Sequence, residues 1–127
     1  MKYRILLVDD APLLRATARR AALQAGAAPQ HVREVADGEA ALAAMQQEPV
    51  DIVLLDTDMP VMDGMRFVEE KAKHPALAHV KVALLTGHGT APRFARAGDF
   101  GVTHYLHKPF ESAELRALVA ELFPADR

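Results

Sequence analysis

The 127-residue chain has no cysteine, which excludes disulfides, thiolate-bound metals and a cysteine nucleophile together, and makes the cytoplasm the expected compartment. It also lacks any apolar run near the roughly 20 residues a membrane helix needs. Lys2 and Arg4 lead into Ile5 to Val8, but that run is far shorter than a signal-peptide core and ends in two aspartates. Neither export nor membrane insertion is expected. Charge of one sign is missing as well: 15 basic and 17 acidic residues leave a formal charge of -2. Bulk electrostatics therefore give no reason to expect direct nucleic-acid or anionic-membrane binding. Linkers, internal repeats and low-complexity tracts are absent from the sequence. What is present is globular composition, half hydrophobic and a quarter charged, in a length that makes one domain, residues 1–127.

Five short apolar runs read as strands: Tyr3 to Val8, Val32 to Ala36, Asp51 to Leu55, Val80 to Leu85 and Val102 to Leu106. Helical stretches separate them. Leu14 to Ala25 is alanine-rich, with Pro12 suited to its first turn, Arg15, Arg19 and Arg20 able to face solvent, and Gly26 placed to stop it. Asp37 suits the cap of a helix over Gly38 to Gln47, and Asp63 that of Gly64 to Lys73. Thr90 and Pro92 open a short fourth helix. In the fifth, Leu115, Leu118, Val119 and Leu122 make one buried stripe before Pro124. Five βα pairs predict an α/β, doubly wound (βα)5 domain with a parallel sheet. Of the known strand orders 2-1-3-4-5 suits this size, and ligands in such sheets bind beyond the carboxyl ends of the strands at the switch point.

Those ends carry concentrated acidity. Asp9 and Asp10 close the first strand, and Asp56, with Asp58 two residues on, closes the third. Adjacent strands lie about 4.8 Å apart, so the carboxylates converge and need a compensating cation. Oxygen donors without histidine or cysteine favour Mg2+ (or Mn2+) over zinc. Thr86 and Lys108 follow the fourth and fifth strands on the same side. Carboxylate, metal, hydroxyl and ammonium together describe phosphoryl transfer to an aspartate.

The segments LLVDDAP, VDIVLLDTDMPVMDG, VALLTGHG and HYLHKPF, in that order, resemble the response-regulator receiver domain of two-component signalling, the CheY-like family. The resemblance covers the whole chain and implies the flavodoxin-like fold. It implies Asp56 as phosphoacceptor, Asp10 with Asp9 as metal ligands, and the backbone carbonyl of Asp58 as a further ligand. It also implies Thr86 as the switch hydroxyl, Lys108 as the phosphate-binding lysine, Tyr105 as the aromatic switch, and a cis Lys108-Pro109 bond. The function so implied is a phosphorylation-dependent switch, not an enzyme acting on other molecules. Its donor would be a sensor histidine kinase or histidine phosphotransfer protein. Its target would be a downstream protein or output domain, met through the fourth helix, fifth strand and fifth helix with Arg93, Arg96, Tyr105 and Glu114.

Each residue also has a plainer reading. Single aspartates at strand ends are usually turn or cap residues, which is how Asp37, Asp51 and Asp63 are read. Thr86, Lys108 and Tyr105 taken singly are a backbone hydrogen-bonder, a surface charge and a packing residue. The six histidines are scattered, with His104 and His107 on opposite strand faces; Met59, Met62 and Met65 read as packing. Two positions depart from a neutral pattern: acidic Asp58 and His88 border the expected phosphoryl site. LLDTDMP also resembles the nucleophile motif of haloacid-dehalogenase-type phosphatases, but Asp9 and Asp10 precede the nucleophile, whereas that family's metal pair follows it. A receiver-like binding module that is never phosphorylated is the third reading. The chain is expected to be either a stand-alone regulator or a receiver cut from a longer protein.

Overall fold

A computed structural model describes residues 3–56, 64–87, 98, 100, 102 and 104–122. Five strands, β1 Ile5–Val8, β2 Val32–Val35, β3 Ile52–Asp56, β4 Lys81–Thr86 and β5 His104–His107, form one sheet in the order β2-β1-β3-β4-β5. Every neighbouring pair is parallel, so each connection must cross back over a face of the sheet, and α-helices fill the crossovers from β1 to β2, β2 to β3 and β3 to β4. This is the flavodoxin-like doubly wound arrangement.

Four α-helices have defined bounds among the described residues: α1 Pro12–Gln24, α2 Gly38–Gln47, α3 Gly64–Ala72 and α4 Ser112–Leu122. The two-residue period of the strands sorts their side chains into two layers. Leu6, Val8, Val53, Leu55, Val82 and Leu84 pack with Phe67, Val68, Ala41 and Ala44 of α3 and α2. Ile5, Leu7, Ile52, Leu54, Ala83 and Leu85 pack with Ala18, Ala21 and Ala22 of α1 and Leu115, Leu118, Val119 and Leu122 of α4. The expected stripe on the last helix is therefore the one that is buried. Phe67, fully enclosed, anchors the first layer, and its truncation to alanine is worth about 3–5 kcal/mol.

Local chemistry sets the helix ends. Pro12 opens α1. Gly26, at φ 109°, closes it two residues beyond Gln24, where Gly26 N–H donates to the Leu23 carbonyl and Ala27 N–H to the Ala22 carbonyl. That pair of bonds needs a left-handed residue, which glycine supplies without steric cost. Asp37 caps α2 by accepting from Ala40 N–H at 2.7 Å. Asp51 Oδ2 accepts from Arg4 N–H at 2.9 Å, tying the start of β3 to β1. Observed ends differ from the sequence expectation by one or two residues. α1, for example, starts at Pro12 rather than Leu14, with the proline in the first turn as expected. Among the described residues no helix is long and apolar enough to cross a membrane.

Candidate functional site

Parallel pairing puts the carboxyl ends of all five strands on one edge, and register decides what meets there. β1 and β3 are neighbours, with Val8 opposite Leu55, so Asp9 and Asp10 follow one strand where Asp56 ends the next. Carboxylate oxygens of Asp9, Asp10 and Asp56 lie within 4.8 Å of one another. Asp9 and Asp56 are buried and Asp10 is exposed, so the cluster has a wall on one side and a mouth on the other.

Asp9 is held from three directions. Its N–H donates to the Val35 carbonyl at 3.2 Å, its Oδ1 accepts from Ala11 N–H at 2.8 Å, and its carbonyl accepts from Arg15 Nη1 at 2.6 Å. Burial pushes its carboxyl above the ordinary aspartate value; the Ala11 hydrogen bond and Lys108 act against this, while Asp56 and Asp10 add to it.

Lys108 supplies the one ammonium recorded there among the described residues. Its Nζ lies 2.8 Å from Asp56 Oδ1, with the side chains 22% and 3% exposed. Its N–H donates to the Thr86 carbonyl at 2.8 Å, which fixes its backbone against the end of β4; the Lys108-Pro109 peptide bond is cis. Thr86 ends β4 fully buried. Leu84 pairs with Tyr105 in the β4–β5 register, so by strand alternation Thr86 and Tyr105 share one face of adjacent strands. Tyr105 is half-buried against the first core layer, and its hydroxyl donates to the Val102 carbonyl at 3.1 Å.

Asp9, Asp10, Asp56, Thr86 and Lys108 thus meet at one edge of the sheet, with Tyr105 behind Thr86. Glu114, expected on a partner-binding face, is exposed and also accepts from Glu111 N–H at 3.0 Å, which closes the first turn of α4. Asp58, Asp63, His88, Arg93, Arg96, Met59, Met62 and the helix expected from Thr90 lie outside the described residues, as does the side chain of Met65. His104 lies 3.6 Å from Glu121 and His107 is exposed.

Arg15, like Arg19 one turn on, is a residue that sequence reasoning misplaced. Expected to face solvent, it reaches back to the Asp9 carbonyl and to Glu34 on β2 at 3.3 Å. Its position one turn into the helix after an acidic pair was the available signal. A guanidinium there lies within reach of the strand end its own helix follows.

Three carboxylates with no nitrogen or sulfur donor among them suit a hard divalent cation such as Mg2+ or Mn2+, and such an ion would offset the burial that raises the Asp9 pKa. Residues 5–120 match the response regulator receiver domain family. The probable chemotaxis protein CheY of Rhizobium etli is 29% identical over 98% of this chain and 95% of its own. Response regulator protein FleR of Pseudomonas aeruginosa is 34% identical over 94% of this chain, which spans 24% of FleR. Among solved structures, Vibrio cholerae chemotaxis protein CheY4 superposes with a TM-score of 0.85 at 27% identity, covering 97% of this chain and all of that one.

Proposed function

The chain belongs to the response regulator receiver domain family, and from that premise we propose that it is a two-component signalling switch phosphorylated on Asp56. The observation that carries the reading is the setting of that carboxylate. Asp56 is 2% exposed, 2.8 Å from the Lys108 ammonium, and beside two further carboxylates at the cation-sized spacing described above.

In the proposed transfer, an Asp56 carboxylate oxygen attacks the phosphorus of a phosphohistidine on a sensor kinase or phosphotransfer protein. The phosphorus–oxygen bond forms as the phosphorus–nitrogen bond breaks, and the bonding pair returns to the imidazole. Asp9, Asp10 and Asp56, with the carbonyl of Asp58, would hold Mg2+ or Mn2+. When bound, such an ion neutralises the carboxylates and spreads charge from the phosphoryl oxygens. Lys108 is already within reach of Asp56 and would keep a phosphoryl oxygen after transfer as a point charge. The Thr86 hydroxyl would donate to another. Moving Thr86 toward the phosphoryl group vacates space on the face it shares with Tyr105, so the ring turns inward and the surface around β5 and α4 changes shape for a downstream protein or output domain. The chemistry is confined to the protein's own aspartate.

The test is incubation with Mg2+ and a small phosphodonor such as an acyl phosphate, followed by intact mass and site mapping. The expected result is one added phosphoryl group, dependent on Mg2+ and located on Asp56. A label on Asp9, Asp51 or a histidine, or no label under any divalent cation, overturns the proposal.

A further inference from the structure

We propose that Arg15 is a positioning residue for the acidic pocket: braced by Glu34, its guanidinium fixes the Asp9 carbonyl and so holds the Asp9-Asp10 turn ready for a divalent cation. The proposal rests on the reading that this pocket takes Mg2+. Arg15 Nη1 donates to the Asp9 carbonyl at 2.6 Å, a short, charge-assisted bond. Its Nε faces Glu34 Oε1 at 3.3 Å. Glu34 meets a second guanidinium too, Arg19 Nη1 at 3.5 Å. Arg19 in turn donates to the Val32 carbonyl at 3.1 Å and the Pro29 carbonyl at 3.3 Å. One edge of α1 is thereby fastened to both ends of β2 and to the end of β1.

The three bonds to Asp9 act on different atoms. Val35 takes its N–H, Ala11 donates to its carboxylate, and Arg15 takes its carbonyl. A strand ending in a buried carboxylate beside two others would move apart to relieve repulsion. The carbonyl anchor resists that movement and leaves the oxygen atoms close together before any ion arrives.

Charge alone makes the opposite prediction. A guanidinium near the pocket repels a divalent cation, so if Arg15 acted only through its charge, removing it would tighten Mg2+ binding. If it positions Asp9, removing it weakens binding, on the scale of about tenfold seen for outer partners of metal ligands. The sign of the change separates the two.

The experiment is a calorimetric Mg2+ titration of wild type, Arg15→Met, Arg15→Lys and Glu34→Gln, with amide hydrogen exchange on the metal-free proteins. Arg15→Met is expected to raise the Kd for Mg2+ about tenfold, and to speed exchange of Ala11 N–H while β4 amides keep their protection. Arg15→Lys keeps the charge but lacks the fork that spans Asp9 and Glu34, so it recovers part of the loss. Glu34→Gln weakens binding less and also speeds Ala11 exchange in the metal-free protein, an effect that charge acting on the ion at a distance does not produce. Unchanged or tighter Mg2+ binding by Arg15→Met, in a protein whose wild type binds Mg2+, overturns the inference. So does unaltered Ala11 exchange. Failure of wild type itself to bind Mg2+ instead removes the reading on which the inference rests, and the exchange arm still decides whether Arg15 holds the turn.

Discussion

The two ends of the sheet bury charge in different ways. At the carboxyl end, Asp9 and Asp56 are buried beside Asp10 and Lys108, a group whose members offset or repel one another and whose balance leaves room for a cation. Toward the amino end of β4, Lys71 of α3 is 7% exposed and no acidic partner is recorded for it among the described residues. It lines a cavity of about 300 Å³ with His74, Val80 and Phe100, and burial alone pushes its ammonium below the usual lysine range. Clustered buried charges with mutual partners suggest chemistry, whereas a lone buried charge points to a tolerated cost. Each variant below removes a charge from one end and asks whether the protein responds as that distinction requires.

The largest effect is expected from Asp56→Asn, which should abolish phosphoryl acceptance completely. In the absence of divalent cations it relieves the crowding of three carboxylates while taking away the partner of Lys108; because that lysine is 22% exposed and can turn to water, a net gain of about 1 kcal/mol is expected. Phosphodonor labelling and thermal melts in a chelator check the two halves. A variant that loses labelling and also loses stability would show the aspartate to be structural.

Next comes Lys108→Ala, which leaves Asp56 buried without its ammonium. Removing one member of a fully buried pair costs about 3–5 kcal/mol; since this lysine is 22% exposed, a loss of about 2 kcal/mol is expected in chelator. Added Mg2+ should narrow the difference from wild type, as a bound cation compensates the same carboxylate. A deficit that Mg2+ leaves untouched would mean that ammonium and metal do not serve one pocket.

Smaller again is the effect of Asp10→Asn on metal-linked stability. At a free Mg2+ concentration ten times the wild-type Kd, binding adds about 1.4 kcal/mol by mass action, and the variant should lose most of that gain. Equal Mg2+-dependent shifts in Tm for both proteins would place the ion elsewhere.

The carboxyl end was the more legible of the two in the sequence. Strand ends were marked by apolar runs stopping at aspartate, threonine or lysine, and parallel alternation alone sends such residues to one edge. Asp37 was recognisable as a local hydrogen-bonder because its partner, Ala40 N–H, lies in the first turn of the helix it caps; Asp51, read in the same way, instead accepts from Arg4 N–H across the β1–β3 pairing. Arg15 was not recognisable, since its partners belong to β1 and β2 and only the crossover brings them together. Lys71 was hidden for a related reason. Phe67, Val68 and Lys71 follow the i, i+1, i+4 spacing of a buried stripe, and a lysine at the end of a helix reads as solvated until the chain packed against it is known.

The smallest and most specific effect belongs to Lys71→Leu. The stripe on α3 already buries Phe67 and Val68, so a leucine there continues it and removes an ammonium that burial disfavours. A gain on the order of 0.5–1 kcal/mol is expected near neutral pH, the scale of other repairs of this kind. Its pH dependence identifies the cause. Because the folded-state pKa of Lys71 lies below its ordinary value of 10.5, the unfolded chain binds more protons between those two values, and wild-type stability rises with pH across that window. The advantage of Lys71→Leu should therefore be constant at neutral pH and shrink as pH climbs toward 10.5. His74 shares the cavity. Glu70 is turned to Lys73 at 3.0 Å. Both are unchanged in the variant, so comparing its melts with wild type cancels their contributions. A stability difference that stays flat from neutral to alkaline pH would show that the gain comes from packing alone, and that the Lys71 ammonium reaches water without cost.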